Sequence, residues 1–149
     1  MNEFSLETRV YIEDTDAGGI VYYANYLKFM ERARTEYMRA LGFSKPALMS
    51  NSQLVVVQLD LKYLMPAMLD DTLRISVELK ELKKASFWLK QQVYRETDLL
   101  IDGNVRLAAL DKLSKKLVPL PNDIYDCLED LKKIGCLLYT SDAADDTPC

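Results

Sequence analysis

The hydrophobic period of this chain changes twice, and that limits the folds open to it. Leu6, Thr8, Val10 and Ile12 alternate with Glu7, Arg9, Tyr11 and Glu13, which predicts a half-buried strand over 6–13. Tyr26, Met30, Ala33, Tyr37 and Leu41 then follow at intervals of 4, 3, 4 and 4, one helical stripe over about 25–41. Asn25 is read as its N-cap and Gly42 as its C′ residue, with Arg32 and Glu36 spaced to pair across one turn. After a polar loop from Ser44 to Gln53, period two returns. Val57, Leu59, Leu61 and Tyr63 share one face, and Leu73, Ile75, Val77 and Leu79 share another. Lys83-Lys84 reads as a connection, 86–95 as a fourth strand and 99–111 as a fifth, with Gly103 as a bulge. Asn122 is read as the cap of a short helix in which Ile124, Leu128 and Leu131 align, and Gly135 ends it.

A strand, a long helix and four closely connected strands can bury their apolar faces only on one another. The pattern predicts an α+β domain over 1–135, a five-stranded antiparallel sheet wrapped around one long central helix. The last stretch, CLLYTSDAADDTPC at 136–149, continues no periodicity and resembles translated sequencing-adaptor sequence, so it is set apart from the fold.

Composition narrows the chemistry. The chain has no histidine, which excludes Ser-His-Asp and Cys-His catalysis and histidine metal sites. Acid-base work must rest on carboxylates, Lys, Tyr, Cys, backbone groups or water. A net charge of -4 and a pI near 4.9 lack the basic footprint of a nucleic-acid binder. No apolar run approaches the roughly 20 residues of a membrane span. The N-terminal MNEFSLETRV does not read as a signal peptide, so a cytoplasmic location is expected. Cys127, Cys136 and Cys149 are too few and too scattered for a disulfide framework or a zinc site.

The segment Asp14-Thr15-Asp16-Ala17-Gly18-Gly19 is, by itself, turn chemistry. A calcium loop fits at Asp14, Asp16 and Gly19 but fails where Gly18 and Asn25 occupy ligand positions. Tyr23 reads equally as a core aromatic or as a wall of a pocket. Lys83 and Lys84 are most simply a solvated turn, and Trp88 and Tyr94 mark a further contact surface.

The longer run DTDAGGIVYYANYLKFMERAR at 14–34, with LDLKYLMPAMLDDTL at 59–73 and LVPLPNDI at 117–124, resembles the 4-hydroxybenzoyl-CoA thioesterase superfamily. It is most similar to the superfamily's YbgC-type (Tol-Pal-associated) acyl-CoA thioesterase branch, over nearly all of 5–122. The resemblance implies a hot-dog fold that dimerises into a continuous sheet with active sites between subunits, as a homodimer or homotetramer. It implies hydrolysis of acyl-CoA, with an acyl carrier protein as a second possible carrier. No metal and no cofactor beyond the substrate's own coenzyme A are implied.

Asp16, before the Ala-Gly pair, takes the place of the catalytic carboxylate. Gly19, Val21, Tyr23, Asn25 and Tyr26 fall along the substrate, and Lys83 and Lys84 could meet the CoA phosphates. Many members of the YbgC branch carry His where this chain has Tyr23, whereas the hydroxybenzoyl branch often has Tyr. Physically, a thioester is already activated, so a carboxylate can attack it or activate a water that does. A helix N-terminus supplies N–H donors for the resulting oxyanion. The rival readings are a hot-dog acyl dehydratase, which generally needs a histidine, and a non-catalytic acyl-carrier or protein-binding module.

Overall fold

The computed structural model describes residues 3–44 and 51–143, those from 135 onward by backbone alone. The elements run β1 (Glu3–Arg9), α1 (Asn25–Ala40), β2 (Ser52–Tyr63), β3 (Thr72–Leu82), β4 (Ser86–Arg95), β5 (Asp98–Asp111) and α2 (Asn122–Ala143). The strands form one sheet in the order β1-β3-β4-β5-β2, antiparallel at every pairing. β1 and β2 are neighbours in sequence but occupy opposite edges, so α1 must carry the chain across the sheet face. The apolar stripe makes that crossing favourable: Tyr26, Phe29, Met30, Ala33 and Tyr37 are all at most 2% exposed. Each large side chain so buried contributes about 1.5–3 kcal/mol. Leu73, Ile75 and Val77 of β3 face the same core, and α2 adds Ile124, Leu128 and Leu131.

One polar relay crosses this core. Gln91 of β4 is fully buried; its Nε2 donates to the Met30 carbonyl at 3.0 Å, and its Oε1 accepts Arg34 Nη1 at 3.0 Å. Burial pulls the Arg34 pKa below its usual value. Fixing both ends of the Gln91 amide ties the helix backbone to the middle of the sheet.

Several expectations need correction. β1 stops at Arg9 rather than residue 13, because Ile12–Asp14 turn into a 3-10 helix that leaves Ile12 76% exposed. Asn25 is the first residue of α1 rather than its N-cap, a position held by Ala24, and Asn122 is likewise the first residue of α2 rather than its cap. Glu36 pairs with Arg39 at 3.3 Å, not with Arg32. Gly103 is no bulge, since it pairs regularly with both Leu61 and Gln91. The bulges fall at Val56/Gln58, Leu79/Glu81 and Val93/Tyr94 instead.

Gly42 does end α1: it turns left-handed at φ 105°, its N–H donates to Arg39 at 3.0 Å, and the Phe43 N–H donates to Met38 at 2.9 Å. Gly135 does not end α2, which continues to Ala143 and is the longer of the two helices. A glycine inside a helix costs only about 1 kcal/mol against alanine, too little to stop it without a reversal like that at Gly42. The division at 135 is therefore not an element boundary, and residues 144–149 lie outside the described residues, as do 45–50 of the loop expected from 44 to 53.

Gly103 has a steric role. A Cβ there would lie 2.5 Å from Leu61 Cδ2 and 3.3 Å from the Gln91 carbonyl oxygen. Gly103→Ala should destabilise the fold by about 1–3 kcal/mol, the usual cost of overpacking, as measured by urea unfolding. An unchanged midpoint would show that Leu61 moves aside freely.

Candidate active site

Two carboxylates stand on the turn that leads into α1, and the structure gives them different work. Asp14 is fully engaged. Its Oδ2 accepts the Tyr11 N–H at 2.9 Å and its Oδ1 accepts Asn25 Nδ2 at 2.9 Å, while its backbone carbonyl accepts the Tyr22 N–H at 3.1 Å. It thereby fastens the end of β1 to the start of α1. Asp16 is exposed and keeps one oxygen open: Oδ1 accepts the Gly18 N–H at 2.8 Å, and Oδ2 has no partner among the described residues. Gly19 closes the turn at φ 81°, with its N–H on the Asp16 carbonyl at 3.1 Å and its own carbonyl on the Leu69 N–H at 3.1 Å. Only glycine adopts that backbone readily.

Behind the turn, the Asp16 N–H donates to the Ile20 carbonyl at 2.9 Å. Ile20 lines a hollow of about 260 Å³ together with Val21, Tyr23, Tyr26, Tyr63 and Pro66. Tyr26 is buried, and its Oη accepts the Ala67 N–H at 2.9 Å. Burial raises the pKa of the Tyr26 phenol above its usual value, which keeps it neutral. Tyr63 meets Tyr26 with ring centroids 5.8 Å apart and Tyr23 at 6.4 Å, and its hydroxyl donates to the Tyr23 carbonyl at 3.3 Å. The N-terminus of α1 stands at this wall without a side-chain cap, and the Tyr23 and Ala24 N–H groups have no partner among the described residues. A second hollow of about 320 Å³ lies further along α1, between Arg34, Met38, Leu54, Val56, Phe87 and Leu107.

This geometry belongs to a known family. Residues 18–101, more than half of the chain, match the family model of the Thioesterase superfamily. The chain belongs to that superfamily. It is similar to the acyl-CoA thioesterase YbgC of Haemophilus influenzae, with 43% identity over 133 residues, 88% of this chain and 98% of the relative. The acyl-CoA thioester hydrolase YbgC of Escherichia coli O6:H1 is 42% identical over 123 residues, covering 81% of this chain and 92% of the relative. Among solved structures, a probable thioesterase from Bartonella henselae superposes with a TM-score of 0.72 at 31% identity, over 81% of this chain and all 100% of the other. The chain is thus a hot-dog thioesterase of the YbgC branch.

Of the thioesterase residues named from sequence, the fold gathers Asp16, Gly19, Val21, Tyr23 and Tyr26 around one turn and one hollow. Asn25 is close by, but its side chain is committed to Asp14 and is absent from the hollow's lining. Lys83 and Lys84 are not brought to the site within one chain. They follow the far end of β3, whose near end joins the 64–71 loop, and eleven residues of strand separate those ends by roughly 35 Å. Lys83 pairs instead with Glu81 at 3.6 Å.

Tyr63 and the loop after it were missed as part of the site. The LDLKYLMPAMLDDTL block marked them in sequence, but only the fold brings them against Tyr23 and Tyr26.

If Asp14 is a fastener, Asp14→Ala should cost about 1–3 kcal/mol of stability by orphaning the Tyr11 N–H and the buried Asn25 amide. Thermal unfolding measures this. Asp16→Ala, which loses one exposed hydrogen bond, should cost clearly less; equal costs would contradict the division of labour.

Proposed function

We propose that this thioesterase hydrolyses acyl-CoA thioesters to the free acid and CoA, with Asp16 as the catalytic carboxylate. The observation that carries the reading is the contrast between the saturated Asp14 and the open Oδ2 of Asp16, set beside an uncapped helix N-terminus. Asp16 either deprotonates a water that adds to the thioester carbonyl or adds to it directly, to be released by water afterwards. The carbonyl oxygen gains negative charge in both routes. The unpartnered N–H groups of Tyr23 and Ala24, at the positive end of the α1 dipole, are the donors for it. Collapse of the adduct expels the CoA thiolate. Tyr23, Tyr26 and Tyr63 form the wall against the acyl group, and the reaction needs no group beyond the substrate's own coenzyme A. The names of the YbgC relatives support acyl-CoA as substrate, and acyl carrier protein thioesters are the second carrier to assay. The cytoplasmic setting expected from sequence is part of this reading. Among the described residues, no helix is long and apolar enough to cross a membrane.

Assembly is the second part of the proposal. β2 is an edge strand that leaves Val56 45%, Val57 46% and Leu59 40% exposed, and an open apolar edge invites pairing. We place a homodimer across β2, by itself or within a tetramer. Lys83 and Lys84 would meet CoA phosphates only if that second copy carried them there.

Two measurements test these claims. Asp16→Asn should lower kcat by at least about 10²-fold with little change in KM, followed as thiol release from acyl-CoAs. Full turnover by a folded Asp16→Asn protein would remove Asp16 from the chemistry. Light scattering at micromolar concentration should give at least a dimer, and the Val57→Lys/Leu59→Lys double variant should shift it to a monomer with loss of turnover. An active wild-type monomer would overturn the assembly.

A further inference from the structure

The segment 64–71 supplies no reacting group, yet most of the site hangs on it. The Ala67 N–H donates to Tyr26 Oη at 2.9 Å, and the Ala67 carbonyl accepts the Val21 N–H at 2.9 Å. The Leu69 N–H donates to the Gly19 carbonyl at 3.1 Å, and Met68 bridges to Ile20. At the loop's end, the Asp70 N–H donates to Val10 at 3.0 Å, and the Asp71 carbonyl accepts the Val10 N–H at 2.9 Å. The Asp16 turn, the start of α1 and the end of β1 therefore share one support.

That support has no strand ladder of its own and is folded around one carboxylate. Asp71 Oδ2 accepts the Met68 N–H at 2.8 Å and Arg95 Nη1 at 2.8 Å. The same Nη1 donates to the Pro66 carbonyl at 3.3 Å, and Arg95 Nη2 lies 3.8 Å from Asp98 Oδ2. Arg95 closes β4 at the tight β4–β5 hairpin, so the guanidinium is anchored to the sheet. The Arg95 and Asp71 side chains are 27% and 20% exposed, shielded enough for a charge-assisted bond to keep more strength than a surface pair.

We propose that Arg95 and Asp71 are a positioning pair for the thioesterase reaction. They touch no substrate. They hold residues 66–71 in the shape that sets the Gly19–Val21 segment, and through it the Asp16 carboxylate, against the acyl hollow. A displacement of about 1 Å in such a support can cost up to ~10²-fold in rate. The inference rests on the reading of Asp16 as the catalytic carboxylate, and its test has one arm independent of that reading.

The variants are Arg95→Gln, Arg95→Lys, Asp71→Asn and the Arg95→Gln/Asp71→Asn double, with Asp16→Asn alongside. Turnover, KM and amide hydrogen exchange at Val21 and Ala67 are measured on each. Arg95→Gln and Asp71→Asn should each lower kcat about 10-fold with KM within about twofold. The double variant should be no worse than either single one, because the two act as a unit. Arg95→Lys should recover part of kcat, since it keeps the charge but not the fork.

Exchange at Val21 and Ala67 should speed up in Arg95→Gln and Asp71→Asn while β3 stays protected, and it should be unchanged in Asp16→Asn. If Asp16→Asn turns over normally, the reading of Asp16 falls, and the exchange arm still decides whether the pair holds the loop. Unchanged kcat and unchanged exchange in Arg95→Gln and Asp71→Asn overturn the proposal. So does exchange raised equally throughout the protein, which would make the pair a general stabiliser.

Discussion

The burial of α1 on the sheet is the constraint on which the rest depends. A helix of this length is marginal alone in water, and its stability comes from the apolar face it hides. Tyr26, Phe29, Met30, Ala33 and Tyr37 have one place to go, the face on which Leu73, Ile75 and Val77 already point inward. Docking there stretches the connection from β1 across the sheet and delivers the chain to the opposite edge as β2. The turn before the helix is thereby pinned at a defined point above the sheet end. The Arg34–Gln91–Met30 relay fixes the helix against sliding, because a buried amide with one partner removed carries the full cost of desolvation.

In this chain without histidine, the two carboxylates of the turn before α1 stand in different environments. Asp14 gives both oxygens to structure and Asp16 gives one. With β1 and α1 tied through Asp14 and Asn25, the Asp16 carboxylate and the open N–H groups of the helix start keep a constant relation. The aromatic wall reinforces this from the other side, since Tyr26 is held by the Ala67 N–H and Tyr63 by the Tyr23 carbonyl. Energy spent on rigidity before the substrate arrives is not spent again at the transition state.

Edge strand β2 shows the opposite economy. It is long, it is interrupted by a bulge at Val57, and it leaves valine and leucine on the surface. Such a strand exposes unpaired backbone groups beside apolar side chains, a combination that a stable single chain normally avoids. Tyr63 lies at its end, so whatever covers β2 also borders the hollow between Tyr23, Tyr26 and Tyr63.

Much of this was legible in the residues. The alternation of Leu73, Ile75, Val77 and Leu79 and the stripe from Tyr26 to Tyr37 record which atoms avoid water, and burial is a property that a sequence states position by position. Gly42 was legible too, because the reversal it makes is local. The Asp16 turn was legible through a motif, whose meaning came from resemblance rather than from spacing.

What escaped were matters of distance between segments far apart in sequence. Nothing in Ile12 announces that the chain turns there; that follows from Asp14 reaching back to the Tyr11 N–H. Nothing in Gly103 distinguishes a bulge from a close approach, since the side chain it accommodates belongs to Leu61 on a neighbouring strand. Lys83 and Lys84 suit a phosphate by charge, but the length of β3 sets where they lie. The sequence by itself determined the elements and the core face, because these depend on residue identity and local period, and its lack of histidine limited the chemistry to other groups. Tertiary structure alone decided that Asp14 would be saturated and Asp16 open, and that a loop held by Arg95 and Asp71 would carry the hydrogen bonds to Gly19 and Val21. Those outcomes depend on which atoms meet across the fold once the helix has been laid on its sheet.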